Sequence, residues 1–567
     1  MSPDRRTVLR AAGAATVLGL GAACARIPTT SPIDSRPLAG RAQPGAPYVQ
    51  ALPPPEDATA EQVVSGFVQA GVGSEENFGV ARSYLTEELS GAWNPTAGIT
   101  IYSSSQELQV KDAGTSEMVL VLQVLALVDG GGTRSLLSGP VARDVELTMA
   151  QVDGQWRISA VPDGIFLSEA AFETLYSPAR LYFLDARTRH LVPDHRWFSL
   201  QRGASAVLEA LADGPAAFLR RAVHNEVPDV LGVLDAEVTS GADGTPEVTV
   251  PEAILDLAAQ PRAAALAQLE SSLRSMRTLS GIRLVRDGQE YAPEDEDAIE
   301  RALPGHRAIA AGPTGVILLA DPTTDAPADQ LVPDLADLPL TSPVIAQDGV
   351  LAAALVDGAS KVLIASTDGS VPLREAATGG LFVPPRIDDA GYVWTSTVRS
   401  AGVLLALAGR GPADDAKVDA PWLVGREVRA LDIAADATRM LVLSADAAGT
   451  RLDLCAVVRD EHGAPTSLTE PVQVRTFLSE ETQASWYDET AVIMLGSDPG
   501  TDELRGQLVD FEAGREPLPA LRADTDRIAG TVIGETIWIG AADGSLQRSD
   551  GSGWVTVDLD AHDPWFY

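Results

Sequence analysis

Asp348-Gly349-Val350-Leu351-Ala352-Ala353-Ala354-Leu355-Val356-Asp357-Gly358 decides the fold of the carboxy-terminal half of this chain, because two Asp-Gly turns enclose one apolar run of strand length. A third turn, Asp368-Gly369, follows Lys361-Val362-Leu363-Ile364-Ala365, and turns nine to eleven residues apart have the spacing of hairpins. The same shape, a turn leading into an apolar strand, returns in Gly391-Tyr392-Val393-Trp394, Thr438-Arg439-Met440-Leu441, Glu489-Thr490-Ala491-Val492 and Glu535-Thr536-Ile537-Trp538. From Gly349 onward the intervals are 42, 47, 51 and 46 residues, and Gly315-Val316-Ile317-Leu318 reads as an earlier member 34 residues upstream. Such periods fit four-stranded blades of an all-β propeller over 304–567, with five to seven blades. Helical periods, which an α-solenoid needs, are missing.

Toward the amino terminus the pattern changes to alternating strands and helices. Leu181-Tyr182-Phe183-Leu184-Asp185 reads as a strand, and Ala204 to Asp213 as a helix with Val207, Leu208 and Leu211 inward, stopped by Gly214-Pro215. Strands around Val233 to Val238 and Val248 to Val250 follow, then a helix carrying Leu266, Leu269, Leu273 and Met276 at spacings of three and four. Gly281-Ile282-Arg283-Leu284-Val285 into Asp287-Gly288 closes an α/β module over 180–290.

Before it, over 59–175, helices precede strands. Thr59-Ala60-Glu61-Gln62 is a capping box ahead of Val63, Val64, Phe67 and Val68, and Ala81, Leu85 and Leu89 at four-residue spacing predict one further helix. Met118 to Val128, the Gly130-Gly131-Gly132 turn, alternating Val145, Leu147 and Met149, and Asp153-Gly154 into Gln155-Trp156-Arg157-Ile158 predict a curved antiparallel sheet, giving an α+β cone. The stretch 24–58, rich in Pro, Ser, Thr and Ala, reads as a tether.

The first 23 residues read as an export signal. Arg5, Arg6 and Arg10 precede an uncharged run from Ala11 to Ala23, and thirteen residues at ~1.5 Å each fall short of a hydrocarbon core of roughly 30 Å. Gly21-Ala22-Ala23-Cys24 places small residues before a cysteine, so Cys24 is the expected lipidation site on the mature amino terminus. Leu, usual three residues before such a cysteine, stands one place earlier at Leu20. Arg5-Arg6 leaves general and twin-arginine export both open. The remaining thiol, Cys455, lies in the strand-like run Leu452 to Val457 and is expected to be buried and inert.

With 79 acidic against 42 basic residues the net charge is -37, which opposes binding to nucleic-acid backbones. The six histidines are scattered; His190 and His195 are the nearest pair, but Pro193 separates them, and with loop on both sides they are expected on the surface rather than on a metal. Asp543-Gly544, Asp550-Gly551, Asp388-Asp389 and Asp414-Asp415 fall short of a calcium loop and read as turns. Trp394, Trp538 and Trp554 read as packing between blades rather than as a carbohydrate platform. No catalytic, cofactor-binding or metal residue can be named, and no enzyme is expected.

The Phe67 helix, Ala81-Arg82-Ser83-Tyr84-Leu85, Trp93 and the closing Gly154-Gln155-Trp156-Arg157-Ile158 resemble the NTF2-like amino-terminal domain of the actinobacterial LpqB lipoproteins. Tyr182-Phe183-Leu184, Leu191-Val192-Pro193, the helix stopped by Gly214-Pro215 and Ser280-Gly281 resemble a GerMN domain. With the signal in front and the propeller behind, the whole chain is similar to the LpqB family. That resemblance implies a palmitoylated protein on the extracytoplasmic face of the cell membrane. It also implies a partner, the extracytoplasmic domain of a membrane sensor histidine kinase (MtrB-like), through which a two-component system controlling envelope and division is modulated. An envelope glycan-acting enzyme and a passive ligand carrier are the alternatives: the first expects two close carboxylates in a pocket, the second a deep apolar cavity in the first module.

Overall fold

Thr59 caps the first helix as the capping box requires: its hydroxyl accepts from the Gln62 amide at 3.3 Å, and the Gln62 side chain accepts from the Thr59 amide at 2.9 Å. In the computed structural model the described residues are 51–567, apart from 106–107, 115, 228–237, 242–244, 251, 278, 280, 292–298, 320–329 and 411–413. The signal, Cys24, most of the tether, nearly all of the strand expected around Val233 to Val238, and Ser280 lie outside them.

The first helix, Ala60–Ala70, buries Val63, Val64, Phe67 and Val68 against a curved sheet. The single second helix expected from Ala81, Leu85 and Leu89 is two. Glu75–Arg82 ends, Leu85 leaves the helix to bridge Ile158, and Thr86 caps a new helix, Glu87–Ala92, by accepting from the Leu89 amide. A four-residue spacing that crosses a capping threonine had imitated one helical face. The sheet runs in the order Gln155–Ala160, Arg134–Val152, Glu117–Asp129, Gly98–Tyr102, Ile165–Ser168. Its long strand Glu117–Asp129 alternates buried and half-buried side chains, as a sheet with one covered face must.

In the second module Tyr176–Asp185 pairs antiparallel with His190–Ser199, and the helices Gly203–Asp213 and Ala259–Arg274 pack against this pair. Val207, Leu208 and Leu211 are buried, and Gly214 ends the first helix at φ +92°, where a side chain would be strained. Buried polar groups set the long helix on the strand: the Tyr182 amide donates to Ser272 Oγ at 2.9 Å, and Gln268 Nε2 donates to the Tyr182 carbonyl at 3.0 Å. His190 and His195 do not lie in a loop. They belong to a strand that tolerates Pro193 because, among the described residues, its outer edge is paired only at His190 and Leu191.

The propeller has six sheets among the described residues. Five are consecutive four-stranded meanders over 341–378, 386–419, 427–468, 479–517 and 525–557, the third of these carrying one extra short strand. The sixth combines Ala308–Gly312 and Gly315–Leu318 with the last strand of the chain, His562–Phe566. The repeated turns before Leu351, Tyr392, Arg439, Ala491 and Thr536 each open the second strand of a blade. Gly315–Leu318 is the exception. Because the carboxy-terminal strand occupies the innermost place of that blade, Gly315–Leu318 is its third strand and Ala308–Gly312 its second, which explains the short interval to Gly349. First strands of successive blades neighbour one another around the axis. Trp394 and Trp538 are buried between blades, Trp554 is half-buried, and Cys455 is a buried free thiol whose pKa burial pushes far up.

Candidate functional site

Three acidic side chains on the upper turns of the propeller, where first strands end and second strands begin or third strands turn into fourth, hold the second module. Glu489, between Ser479–Trp486 and Ala491–Ser497, accepts from Arg180 at 2.7 Å, the Tyr182 hydroxyl at 2.9 Å and Arg301 at 2.9 Å. Glu512, in the next upper turn of that blade, lies 3.3 Å from Arg180 Nε and 3.2 Å from His195 Nδ1. Asp389, two blades away, meets Arg187 at 2.7 Å, Arg189 at 3.0 Å and His190 at 3.2 Å. The His190–Ser199 strand thus presents both histidines to the propeller, 21% and 15% exposed, rather than to solvent.

The electrostatics fit a built contact. Burial alone would raise Asp389; the hydrogen bond from His190 and the charges of Arg189 and Arg187 outweigh it and hold the carboxyl below its ordinary value. Glu512 is lowered in the same way by His195 and Arg180. Burial, reinforced by Glu489, pushes the Tyr182 phenol up to about 12, so it remains a donor. Apolar packing runs through the contact as well: Ala456 and Val458 of the propeller pack in the core of the second module, and Phe218 of the second module against a core of the propeller.

Below this contact lies the axial cavity, about 90 Å³, with Asp388, Asp389, Asp432, Arg386, Ser485 and Trp486 in its wall. Arg386 stacks on Trp565 at 3.4 Å from the ring centre and lies 3.3 Å from Asp432. Burial is the main influence on both, raising Asp432 and lowering Arg386. Asp432 also accepts from the Trp486 amide at 2.8 Å. Asp388 accepts from Trp394 Nε1 at 2.7 Å, the Tyr392 amide at 2.9 Å and Arg459 at 2.5 Å. Each carboxylate in this wall therefore already has protein donors.

Among the described residues no group of three or more His, Cys, Asp or Glu is placed to hold a metal ion, and no helix is long and apolar enough to cross a membrane. Asp543 and Asp550 serve as turn acceptors for the Ser545 and Ser552 amides. A second cavity of about 170 Å³ lies where the first and second modules meet; its wall combines Phe78, Trp197 and Phe198 with Asp129, Arg196 and Arg202, and it sits at the seam of the two modules rather than inside the first, where a carrier's apolar pocket was expected. In the sequence Glu489 and Asp389 read only as turn residues. Their partners stand about 200 to 300 positions earlier, at a separation no local pattern records.

An α+β module, an α/β module fixed to a propeller by ion pairs, and a six-bladed ring closed by the last strand define a three-module propeller protein. The chain belongs to the LpqB lipoprotein family. Residues 53–173 match the profile of the lipoprotein LpqB amino-terminal domain, 325–566 that of the lipoprotein LpqB β-propeller domain, and 180–292 the Germane profile, described as sporulation and spore germination. Lipoprotein LpqB of Cutibacterium acnes is 26% identical over 528 residues, covering 88% of this chain and 87% of that one. Lipoprotein LpqB of Streptomyces avermitilis is 24% identical over 551 residues, 90% of each. Lipoprotein LpqB of Rhodococcus opacus reaches 30% over 241 residues, 41% of this chain and 40% of its own.

Proposed function

We propose that this chain is a lipid-anchored extracytoplasmic scaffold, held to the cell membrane through Cys24, that binds the extracytoplasmic domain of a membrane sensor histidine kinase and modulates its control of envelope and division. The observation that carries the scaffold reading is the commitment of every carboxylate in the axial cavity wall to protein donors. A glycan-acting hydrolase needs a free acid and base at a pocket, and here such groups are spent on structure. Family membership supports the anchor, and an acyl chain with a tether concentrates the modules near a membrane partner. The second module occupies the upper turns of the propeller. The opposite face, where Leu381 and Val424 on successive blade connections are 59% and 65% exposed, is the surface assigned to the kinase.

Affinity capture of the full chain from membranes should bring the kinase with it, and the purified chain should leave peptidoglycan and other envelope glycans intact. Cys24→Ser should release the chain from the membrane fraction. Glycan cleavage that disappears on replacing one propeller carboxylate would replace this reading with the enzyme.

A further inference from the structure

Arg134, Arg475 and Arg515 form a group in which, among the described residues, no guanidinium is neutralised by a direct ion pair. In a chain with 79 acidic residues this is an unusual economy of counter-charge. Arg134 stands on the long Arg134–Val152 strand of the first module, Arg475 just after the short propeller strand Val472–Val474, and Arg515 on the outer strand Gly514–Pro517 of the next blade. None of the three side chains makes an ion pair or hydrogen bond with another described residue, and the Nε atoms of Arg134 and Arg475 are buried without an acceptor.

Aromatic faces hold them instead. The Arg134 guanidinium carbon lies 4.8 Å from the Trp197 ring centre and 5.3 Å from that of Phe172, while Arg475 and Arg515 share Phe477 at 4.6 and 4.9 Å. Stacking fixes the plane of a guanidinium and leaves its N–H donors unspent. Burial is the largest influence lowering both Arg134 and Arg475; at Arg134 the charges of Glu169 and Glu173 oppose it and Arg475 adds a smaller lowering, while at Arg475 the charge of Arg515 lowers it further against Glu169. Two partly buried guanidiniums beside the exposed Arg515, all held by aromatic rings and none bonded to an acceptor among the described residues, are the arrangement that a bound anion with several oxygens would complete.

We propose that Arg134, Arg475 and Arg515 form a binding site, at the seam of the first module and the propeller, for a phosphate-bearing anion. Its source is either a soluble phosphorylated compound or the phosphodiester headgroup of an anionic lipid in the membrane to which the chain is tethered. Pyrophosphate titrated into the detergent-solubilised full chain in a calorimeter probes the first source. Flotation of the full chain carrying Cys24→Ser with phosphatidylcholine vesicles, with and without phosphatidylglycerol, probes the second free of the acyl anchor. Binding in either arm should weaken at least about tenfold in Arg475→Gln/Arg515→Gln, the loss expected when charge-assisted hydrogen bonds are removed. Arg515→Gln alone, on an exposed strand, should weaken it less and melt as the wild type does, which keeps the test valid if the double variant unfolds. Saturable pyrophosphate binding supports the soluble source, and phosphatidylglycerol-dependent flotation alone supports the headgroup. Failure of both probes to bind, or undiminished binding in Arg515→Gln and in the double variant, overturns the site.

Discussion

Glu489 accepts from Arg180, Tyr182 and Arg301 together, so its replacement takes an acceptor from three donors at once, leaving Arg180 only Glu512. Glu489→Ala should cost about 2 kcal/mol in denaturant unfolding, in line with a partly buried charge pair broken from one side, while Glu489→Gln, which keeps an acceptor, should cost about half as much. Equal midpoints for wild type and Glu489→Ala would show that the ion pairs do not hold the modules together. A second residue-scale test concerns the helix Gly203–Asp213, where Leu211 is wholly buried and Glu209 reaches only Arg202 at the surface. Leu211→Asp should unfold the second module, losing at least about 3 kcal/mol, whereas Glu209→Ala should stay within about 0.5 kcal/mol of wild type. Undiminished thermal stability of Leu211→Asp would mean the facing is wrong.

Among elements, the Asp-Gly turns and the upper-face contact respond to different perturbations. Asp357, Gly358 and Ala359 sit at φ +52°, +64° and +64° in the loop that joins Leu351–Val356 to Lys361–Ser366, so Gly358→Ala should cost about 1–2 kcal/mol by placing one more Cβ in the left-handed region. A melting curve unchanged by Gly358→Ala would contradict the turn. The contact between modules should depend on acid in a definite sense. Asp389 and Glu512 have lowered values in the folded chain, so their contribution is complete above the ordinary carboxylate range of about 4 and is lost as pH falls through and below it. Proteolytic cleavage between the second module and the propeller should therefore quicken below that range; cleavage independent of pH would remove these carboxylates from the account. Elements with their own period were legible in the sequence: Leu266, Leu269 and Leu273 fix one helix face, and the turns before Leu351 and Tyr392 fix second strands. The helix break at Leu85 was not, because the bridge to Ile158 that draws it out lies 73 positions away. The strand through Pro193 was missed because its polar side chains are covered by the propeller rather than by their own sheet.

For the whole molecule, the last strand His562–Phe566 pairs with Ala308–Gly312 and closes the ring. Removing 562–567 should leave the innermost place of one blade empty and abolish a single cooperative propeller transition in calorimetry, while persistence of that transition would argue that the ring closes elsewhere. Propeller architecture could be read from repeated turns, but closure could not, since the carboxy-terminal strand breaks the repeat it completes. The shared packing of Ala456, Val458 and Phe218 means that deleting 304–567 would uncover the second module's core, so the partner surface is best mapped in the intact chain. Photo-crosslinking amino acids placed singly at Leu381 and Val424 of the full chain in living cells, with the products identified by mass spectrometry, test the scaffold reading most directly. The account predicts covalent products with the extracytoplasmic domain of a sensor histidine kinase at both positions; kinase products only from the first or second module, or none at any position, would contradict it.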